Sequence, residues 1–158
     1  DPQVVASDAN LEDFQAAMGF WEENTGRKLF DYKGNWTVGQ PFSGNPGAPS
    51  AIVSNVVMFQ SPWPFAANTA GMTTVEASDG EFQAAVVMLN PNIPVCTGDC
   101  SGDYSRTSEQ KLMAHELGHF LGLQHVQDPS NIMYPTLNPG GSLQSEAVSS
   151  SQLSQVVQ

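Results

Sequence analysis

Three histidines and a glutamate with the spacing of a metal centre lie within one short segment, HELGHFLGLQH, at residues 115–125. His115 and His119 are four residues apart, so both imidazoles project from one face of a helix and can reach one tetrahedral ion. Gly122 lets the chain turn sharply out of that helix because it has no Cβ, which brings His125 round as the third ligand. The pattern predicts a zinc site with three protein ligands and a fourth position for water.

Glu116 follows the first histidine, which places its carboxylate near a zinc-bound water without making it a ligand. Zinc lowers the pKa of such a water towards about 7, and Glu116 can take its proton and later return it to a leaving amine. The alternatives are three ordinary histidines at a helix end, or a structural zinc. All three histidines of the chain fall in register, and structural zinc sites usually carry four protein ligands, mostly cysteines. The pattern therefore favours catalysis of peptide-bond hydrolysis.

The segment resembles the metzincin signature His-Glu-x-x-His-x-x-Gly-x-x-His, which is followed downstream by a Met-turn. Residues 131–135, NIMYP, look like that turn, with Met133 under the three-histidine site. Tyr directly after Met, and then Pro, is similar to the matrixin (matrix metalloproteinase-like) branch. The resemblance is specific over residues 107–135. It implies a zinc-dependent endopeptidase that holds one catalytic zinc and acts on peptide or protein substrates.

The fold implied by the resemblance is an α+β, zincin-like catalytic domain. It has a twisted mixed sheet with an edge strand over helices, a zinc helix and a small irregular C-terminal subdomain. We expect residues 1–158 to form this single domain, with the N-terminal subdomain over residues 1–122 and the C-terminal one, which contains the Met-turn, over residues 123–158.

Substrate in this family lies extended against an antiparallel edge strand. Residues 71–75 are the candidate strand here, with Gly71, Met72 and Val75 as candidate cleft residues. The resemblance places the wall of the pocket on the leaving-group side at Pro135–Asn138, which includes Leu137. Tyr134, beside that wall, is counted with Pro135 and Leu137 among the candidate substrate-binding residues, and by the same comparison it is structural and not a zinc ligand. Leu137 favours a hydrophobic residue after the cleaved bond.

The chain departs from the usual matrixin pattern at several positions. Val126 stands where matrixins usually have Ser, and Leu137 stands where they usually have Tyr. The stretch Ser149–Gln152 takes the place of the paired Asp residues of the last helix. The extra histidines of a second, structural zinc are missing, so we predict one zinc. The family's first strand is missing or reduced to Gln3–Val5, and we interpret the chain as a divergent, bacterial-type member.

The elements that must position the site follow from periodicity and turn signals. Leu11, Phe14, Met18 and Trp21 form the apolar stripe of an amphipathic helix. Thr107–Gln110 is a capping box with Thr107 as the cap, opening the zinc helix, which should end at Leu121 or Gly122. The complete prediction comprises helices over residues 8–24, 107–122 and 152–157, and strands over residues 29–32, 36–38, 51–59, 71–75 and 82–89.

Composition excludes two classes of partner. The formal net charge is −11, with only five Lys and Arg residues, so the chain cannot neutralise a row of phosphates or bind an anionic membrane surface. No apolar run approaches the roughly 20 residues that span a bilayer. A monomer is the default expectation.

Two cysteines, Cys96 and Cys100, lie four residues apart. They form either a metal or redox pair or a short disulfide, and we favour the disulfide because every histidine is already committed. A disulfide indicates an oxidising compartment, which predicts a secreted, cell-surface or periplasmic location.

Carboxylates beside glycines could form a second metal site, for calcium. Asp79, Glu81, Asp99 and Asp103 could ligate calcium, and solvated turn carboxylates are the alternative. Two further functions also stay open: a zinc-containing module that binds peptides without cutting them, and a surface domain in which zinc only stabilises the fold. Glu116 argues against the first, because a module without turnover has no need of a base.

Overall fold

A computed structural model describes residues 8–32, 55–59, 62–79, 81–137 and 141–156. Within these ranges one helix comes first, five strands follow it, and the remaining helices come last. In order, the elements are α1 (Asp8–Thr25), β1 (Asn55–Phe59), β2 (Gly71–Ser78), β3 (Glu81–Leu89), β4 (Val95–Cys96), β5 (Thr107–Ser108), α2 (Glu109–Phe120), a 3-10 turn (Leu143–Ser145) and α3 (Ser150–Val156). The predicted strands at residues 36–38 and Gln3–Val5, and the first part of the one at 51–59, lie outside the described residues.

The larger sheet has the strand order β1-β3-β2. β1 runs parallel to β3, with Asn55 opposite Ala85. β2 runs antiparallel to β3, with Gly71 opposite Leu89 and an irregularity between Glu76 and Ala77. β2 is therefore the antiparallel edge of the described sheet, as predicted, and it extends three residues beyond the predicted strand.

Helix α2 forms the centre of the domain because it contacts both α1 and the strands β2 and β3. Trp21 on α1 is fully buried, and its Nε1 donates a hydrogen bond of 2.8 Å to Ala114 O on α2. The shared core contains side chains of both helices, of β3 and of the segment after α2, namely Ala17, Met18, Phe20, Trp21, Val87, Leu89, Leu112, Met113, Leu117, Leu123, Ile132 and Met133. This packing confirms the α+β fold class and holds α2 rigidly.

Two local predictions were wrong. Residues 29–32 form no strand, because the N–H groups of Leu29 and Phe30 both donate to Glu22 Oε1 at 2.9 Å. The N-cap of α2 is Ser108, not Thr107: Ser108 Oγ accepts from Lys111 N, while Thr107 pairs with Val95 in the small parallel sheet.

The C-terminal residues pack back onto α2. Lys111 Nζ forms an ion pair of 2.7 Å with Glu146 Oε1, and both side chains are almost buried. Helix α3 begins two residues before its predicted start. No helix in the described ranges is long and apolar enough to cross a membrane. The division into two subdomains at residue 122 stays a prediction.

Candidate metal centre

The three histidines meet because helix α2 ends in a glycine turn. His115 and His119 lie one turn apart on α2. Gly122 has a φ of 93°, a conformation that favours glycine. Its N–H donates to His119 O, and Leu123 N–H donates to Gly118 O. These two hydrogen bonds form a Schellman cap, which satisfies the last carbonyls of the helix and reverses the chain towards the third histidine.

The ring nitrogens converge on one point. His125 Nε2 lies 3.3 Å from His115 Nε2 and 3.1 Å from His119 Nε2. On the far side of the rings, His115 Nδ1 lies 2.7 Å from Ile132 O, and His119 Nδ1 lies 2.8 Å from Leu123 O. A carbonyl oxygen only accepts, so these two Nδ1 atoms carry the hydrogen and donate it. Their Nε2 lone pairs therefore point at the shared centre.

This donor set fits a zinc ion. A tetrahedral ion bound at about 2.0–2.1 Å separates its ligand nitrogens by about 3.3–3.4 Å, close to the spacing of the histidines. Converging lone pairs with no hydrogen between them repel, and a shared cation turns that repulsion into attraction. Within the described part of the chain, these histidines form the one group of three or more metal-ligating side chains close enough to share an ion.

Burial keeps the ligands in the form that binds metal. His115 is 5% exposed, and burial lowers its pKa to about 4, although its hydrogen bond to Ile132 opposes the shift. Burial, together with the neighbouring His119, also lowers the pKa of His125. Both imidazoles are therefore neutral at pH 7, as a metal ligand must be.

The Met-turn supports the centre through its backbone and through one side chain. Ile132 O accepts from His115. Met133 O accepts, at 3.1 Å, from the N–H of Val126, the residue after the third histidine. Met133 is fully buried, and its Sδ fills the space beside Gly118 that a Cβ would need. The Met-turn thus makes hydrogen bonds both to His115 and to the segment that carries His125.

Glu116 lies between α2 and β2 and is 4% exposed. Burial raises the pKa of its carboxyl group, and a hydrogen bond from Thr73 opposes that rise. Thr73 Oγ1 donates to Glu116 Oε2 at 2.6 Å. A Cβ on Gly71 would lie 2.8 Å from Glu116 Oε1, so a larger residue at this position would require the Glu116 side chain to move. Strand β2 therefore lies directly against the Glu116 carboxylate and donates a hydrogen bond to it.

A cleft of about 1080 Å³ contains the histidines and Glu116. Four further residues predicted from the sequence line it, namely Gly71, Met72, Pro135 and Leu137. Tyr134 is not among the residues that line this cleft, and its N–H donates to Asn131 O inside the turn. Its role as a substrate-binding residue stays a prediction. Val75 lies on β2 opposite Ala85, and because its side chain is outside the described part, its role stays a prediction.

A comparison with protein families decides the identity of this arrangement. The family model described as Matrixin matches residues 6–153, which is most of the chain. The chain belongs to the matrixin family. Matrixins are zinc-dependent endopeptidases of the metzincin fold, so the predicted family and fold are confirmed.

Several cleft residues of this matrixin were missed by sequence analysis. Thr73 and Leu112 both line the cleft. The spacing of each residue from a predicted site residue could have identified it. Thr73 lies two residues after Gly71, on the same face of the strand. Leu112 lies three residues before His115, on the same face of the helix.

The two cysteines of the matrixin domain form a disulfide, Cys96–Cys100, as predicted. Gly98, inside the closed ring, has a φ of 71°. Its N–H donates to Asp13 Oδ1 on α1 at 3.0 Å. The ring therefore connects the loop before α2 to the first helix.

Two of the carboxylates proposed for calcium accept hydrogen bonds from nearby serines. Asp99 accepts hydrogen bonds from the N–H and hydroxyl of Ser101, and Asp103 accepts the same pair from Ser105. These bonds lower the pKa of Asp99, and with Arg106 they lower that of Asp103 to about 2. Asp79 is exposed with a φ of 54°, and the side chain of Glu81 is outside the described part. Calcium binding stays a prediction.

Proposed function

We propose that this matrixin hydrolyses internal peptide bonds of protein substrates, with zinc held by His115, His119 and His125 and with Glu116 as the general base. The observation that supports this most strongly is the convergence of three ligand nitrogens beside a buried carboxylate in one open cleft. A zinc that only stabilised the fold would need neither the carboxylate nor the cleft.

The chemistry is shared between metal and protein. Zinc, when bound, polarises a peptide carbonyl and lowers the pKa of water. Glu116 accepts the proton of the attacking water and passes it to the leaving nitrogen. Its raised pKa suits this role, because a carboxylate that holds its proton more tightly is a stronger base. His115 and His119 keep their orientation through the carbonyls that bind Nδ1.

The cleft wall supports a hydrophobic preference for the residue that follows the cleaved bond. Leu112, Pro135 and Leu137 line the cleft, and each offers an apolar surface. Burying an aliphatic side chain against such a surface contributes about 1.5–3 kcal/mol, enough to select Leu over Asp at this position.

We also propose that the domain works outside the cytosol, in a secreted, cell-surface or periplasmic setting. The disulfide supports this, because such bonds persist in oxidising compartments.

Digestion of a mixed peptide library, read by mass spectrometry, tests the proposed function. We expect cleavage within peptides, loss of cleavage with a zinc chelator and recovery on adding back Zn²⁺ alone. Cut sites should be followed by hydrophobic residues; charged residues there would overturn the specificity. If only Zn²⁺ and Ca²⁺ together restore cleavage, calcium is also a cofactor. A folded, zinc-loaded protein that leaves the library intact would contradict the peptidase and favour a peptide-binding module.

A further inference from the structure

The edge strand β2 contacts the carboxylate of Glu116 in two different ways. Gly71 and Thr73 are two residues apart, so they present the same face of the strand. An added Cβ on Gly71 would lie 2.8 Å from Glu116 Oε1 and 2.9 Å from its Cγ. Thr73 Oγ1 donates to Glu116 Oε2 at 2.6 Å and lies 3.1 Å from Glu116 O. One residue gives the carboxylate space, and the other gives it a hydrogen bond.

We propose that Thr73 is a positioning residue for Glu116 in the hydrolysis proposed above, on which this inference rests. Its hydroxyl holds Oε2 and thereby fixes the side-chain rotamer, so that Oε1 stays available for the proton of the attacking water. The proposal concerns geometry: Thr73 is not one of the three candidate metal ligands, so we expect zinc binding not to require it.

Physical chemistry gives two reasons why this position suits threonine. A glutamate side chain has three rotatable bonds, and it loses that freedom only where the surroundings hold it. A buried carboxylate also needs hydrogen-bond donors to offset its lost hydration. Threonine is stiff at χ1 because it is branched at Cβ, and a strand fixes its backbone. Its hydroxyl is therefore a donor in a defined place.

A structural alternative is that Thr73 only packs β2 against α2. Two substitutions separate the alternatives. Thr73→Val keeps the shape and removes the hydroxyl, whereas Thr73→Ser keeps the hydroxyl and removes the methyl group. The matched control is Thr97→Val, because Thr97 is exposed, lies outside the edge strand and does not line the cleft.

The test measures kcat, KM and Zn²⁺ affinity for these variants on one library-derived peptide. We expect Thr73→Val to lower kcat about tenfold or more, since a positioned general base contributes about 10²–10⁴-fold. KM and Zn²⁺ affinity should stay within about twofold. Thr73→Ser should recover most of kcat, and Thr97→Val should match the wild type. A Thr73→Val enzyme with wild-type kcat, or a Thr73→Ser enzyme as slow as Thr73→Val, would overturn the proposal.

Crystal structures of the wild type and Thr73→Val give a readout that does not depend on turnover. We expect Glu116 to leave the Thr73 position, or to occupy several rotamers, in Thr73→Val. An unchanged, single rotamer would contradict the positioning role. If the zinc-loaded wild type cleaves nothing, the proposed function fails, and these two structures still decide whether Thr73 holds the carboxylate.

Discussion

Single hydrogen bonds determine which ring nitrogen of His115 and of His119 is available to a metal. Ile132 O and Leu123 O take the Nδ1 protons of His115 and His119. Both carbonyls belong to backbone that the α2 C-cap and the Met-turn hold in place. The ligand geometry is therefore built before any metal arrives, which reduces the ordering cost of binding.

The missing side chain of Gly71 gives the first prediction. In Gly71→Ala the new methyl group would displace the Glu116 carboxylate. We expect kcat to fall about tenfold or more, with one Zn²⁺ still bound because the three histidine ligands are unchanged. Kinetics and metal analysis of the same sample measure both. The control is Gly102→Ala, where no atom lies within 4 Å of the added Cβ. Equal activity of the two variants would contradict the close approach.

Residues of the site could be predicted from sequence where the chemistry is local. His115, Glu116, His119 and His125 lie within one helix and its C-terminal turn, so helical spacing and the turn at Gly122 bring them together. Thr73 lies 43 residues before its partner Glu116. Only the register of β2 on β3 and the packing of α2 bring it there, and neither follows from local periodicity.

At Gly118, helix α2 lies close to both α1 and the Met-turn. This close packing gives a second prediction. An added Cβ on Gly118 would collide with the Met133 side chain and lie 2.9 Å from Trp21 Cζ2. We expect Gly118→Ala to destabilise the domain by about 1–3 kcal/mol. Gly19→Ala on α1 is the matched control. Space there is open, so alanine should stabilise by about 0.5–1 kcal/mol. Denaturant unfolding measures both, and the same sign for the two variants would contradict the packing.

Helix α3 holds the Met-turn through a pair of side-chain amides. Asn131 Nδ2 donates to Gln152 Oε1 at 2.8 Å, and Gln152 Nε2 donates to Asn131 Oδ1 at 3.1 Å. Both residues are buried. Asn131 Oδ1 also accepts from Met133 N. The Ser149–Gln152 stretch thus supplies a neutral amide to the Met-turn.

A third prediction follows from this amide pair. Gln152→Leu removes the acceptor of the buried Asn131 Nδ2, which should cost about 1–3 kcal/mol of stability. Because the same turn carries Ile132 O, Zn²⁺ affinity should also fall, by about 10–100-fold. The control is Gln155→Leu, an exposed position on the same helix. Competition with a chromogenic chelator measures affinity, and wild-type affinity in Gln152→Leu would show that α3 does not support the centre.

Elements could be predicted where one signal dominates, as in the apolar stripe of α1. Predictions failed where two signals compete. Thr107 and Ser108 can both cap α2, and Thr107 is lost to the pairing with Val95. Residues 29–32 have strand propensity, but Glu22 takes the N–H groups that a neighbouring strand would need.

The domain as a unit depends on a buried pair of acids between α1 and α2. Asp13 and Glu109 are 0% and 1% exposed. Asp13 accepts from Gly98 N and Gln110 Nε2, whereas Glu109 Oε1 has no hydrogen-bond partner. Burial, and then the charge of Asp13, raise the pKa of Glu109 to about 8. Glu109 is therefore protonated in the folded domain at neutral pH and shares its hydrogen with Asp13.

This acid pair makes stability depend on pH. The folded pKa of Glu109 is raised, so its contribution is fully present below the unfolded value, near pH 4.5, and is lost as pH rises through about 8. Each pH unit in that window costs about 1.4 kcal/mol. Glu109→Gln keeps a donor for Asp13 without the titration. We expect its free energy of unfolding to fall less than that of the wild type between pH 5 and pH 8. Parallel curves would contradict the shared proton.

One measurement tests the peptidase most directly: turnover of a single library-derived peptide by zinc-loaded wild type and by zinc-loaded Glu116→Gln. Gln is isosteric and keeps the hydrogen bond from Thr73, but it cannot accept the proton of water. We predict one bound Zn²⁺ in each protein and a kcat lower by about 100-fold or more in the variant. Equal turnover in the two proteins, or none in either, would contradict hydrolysis by a Glu116-assisted zinc centre.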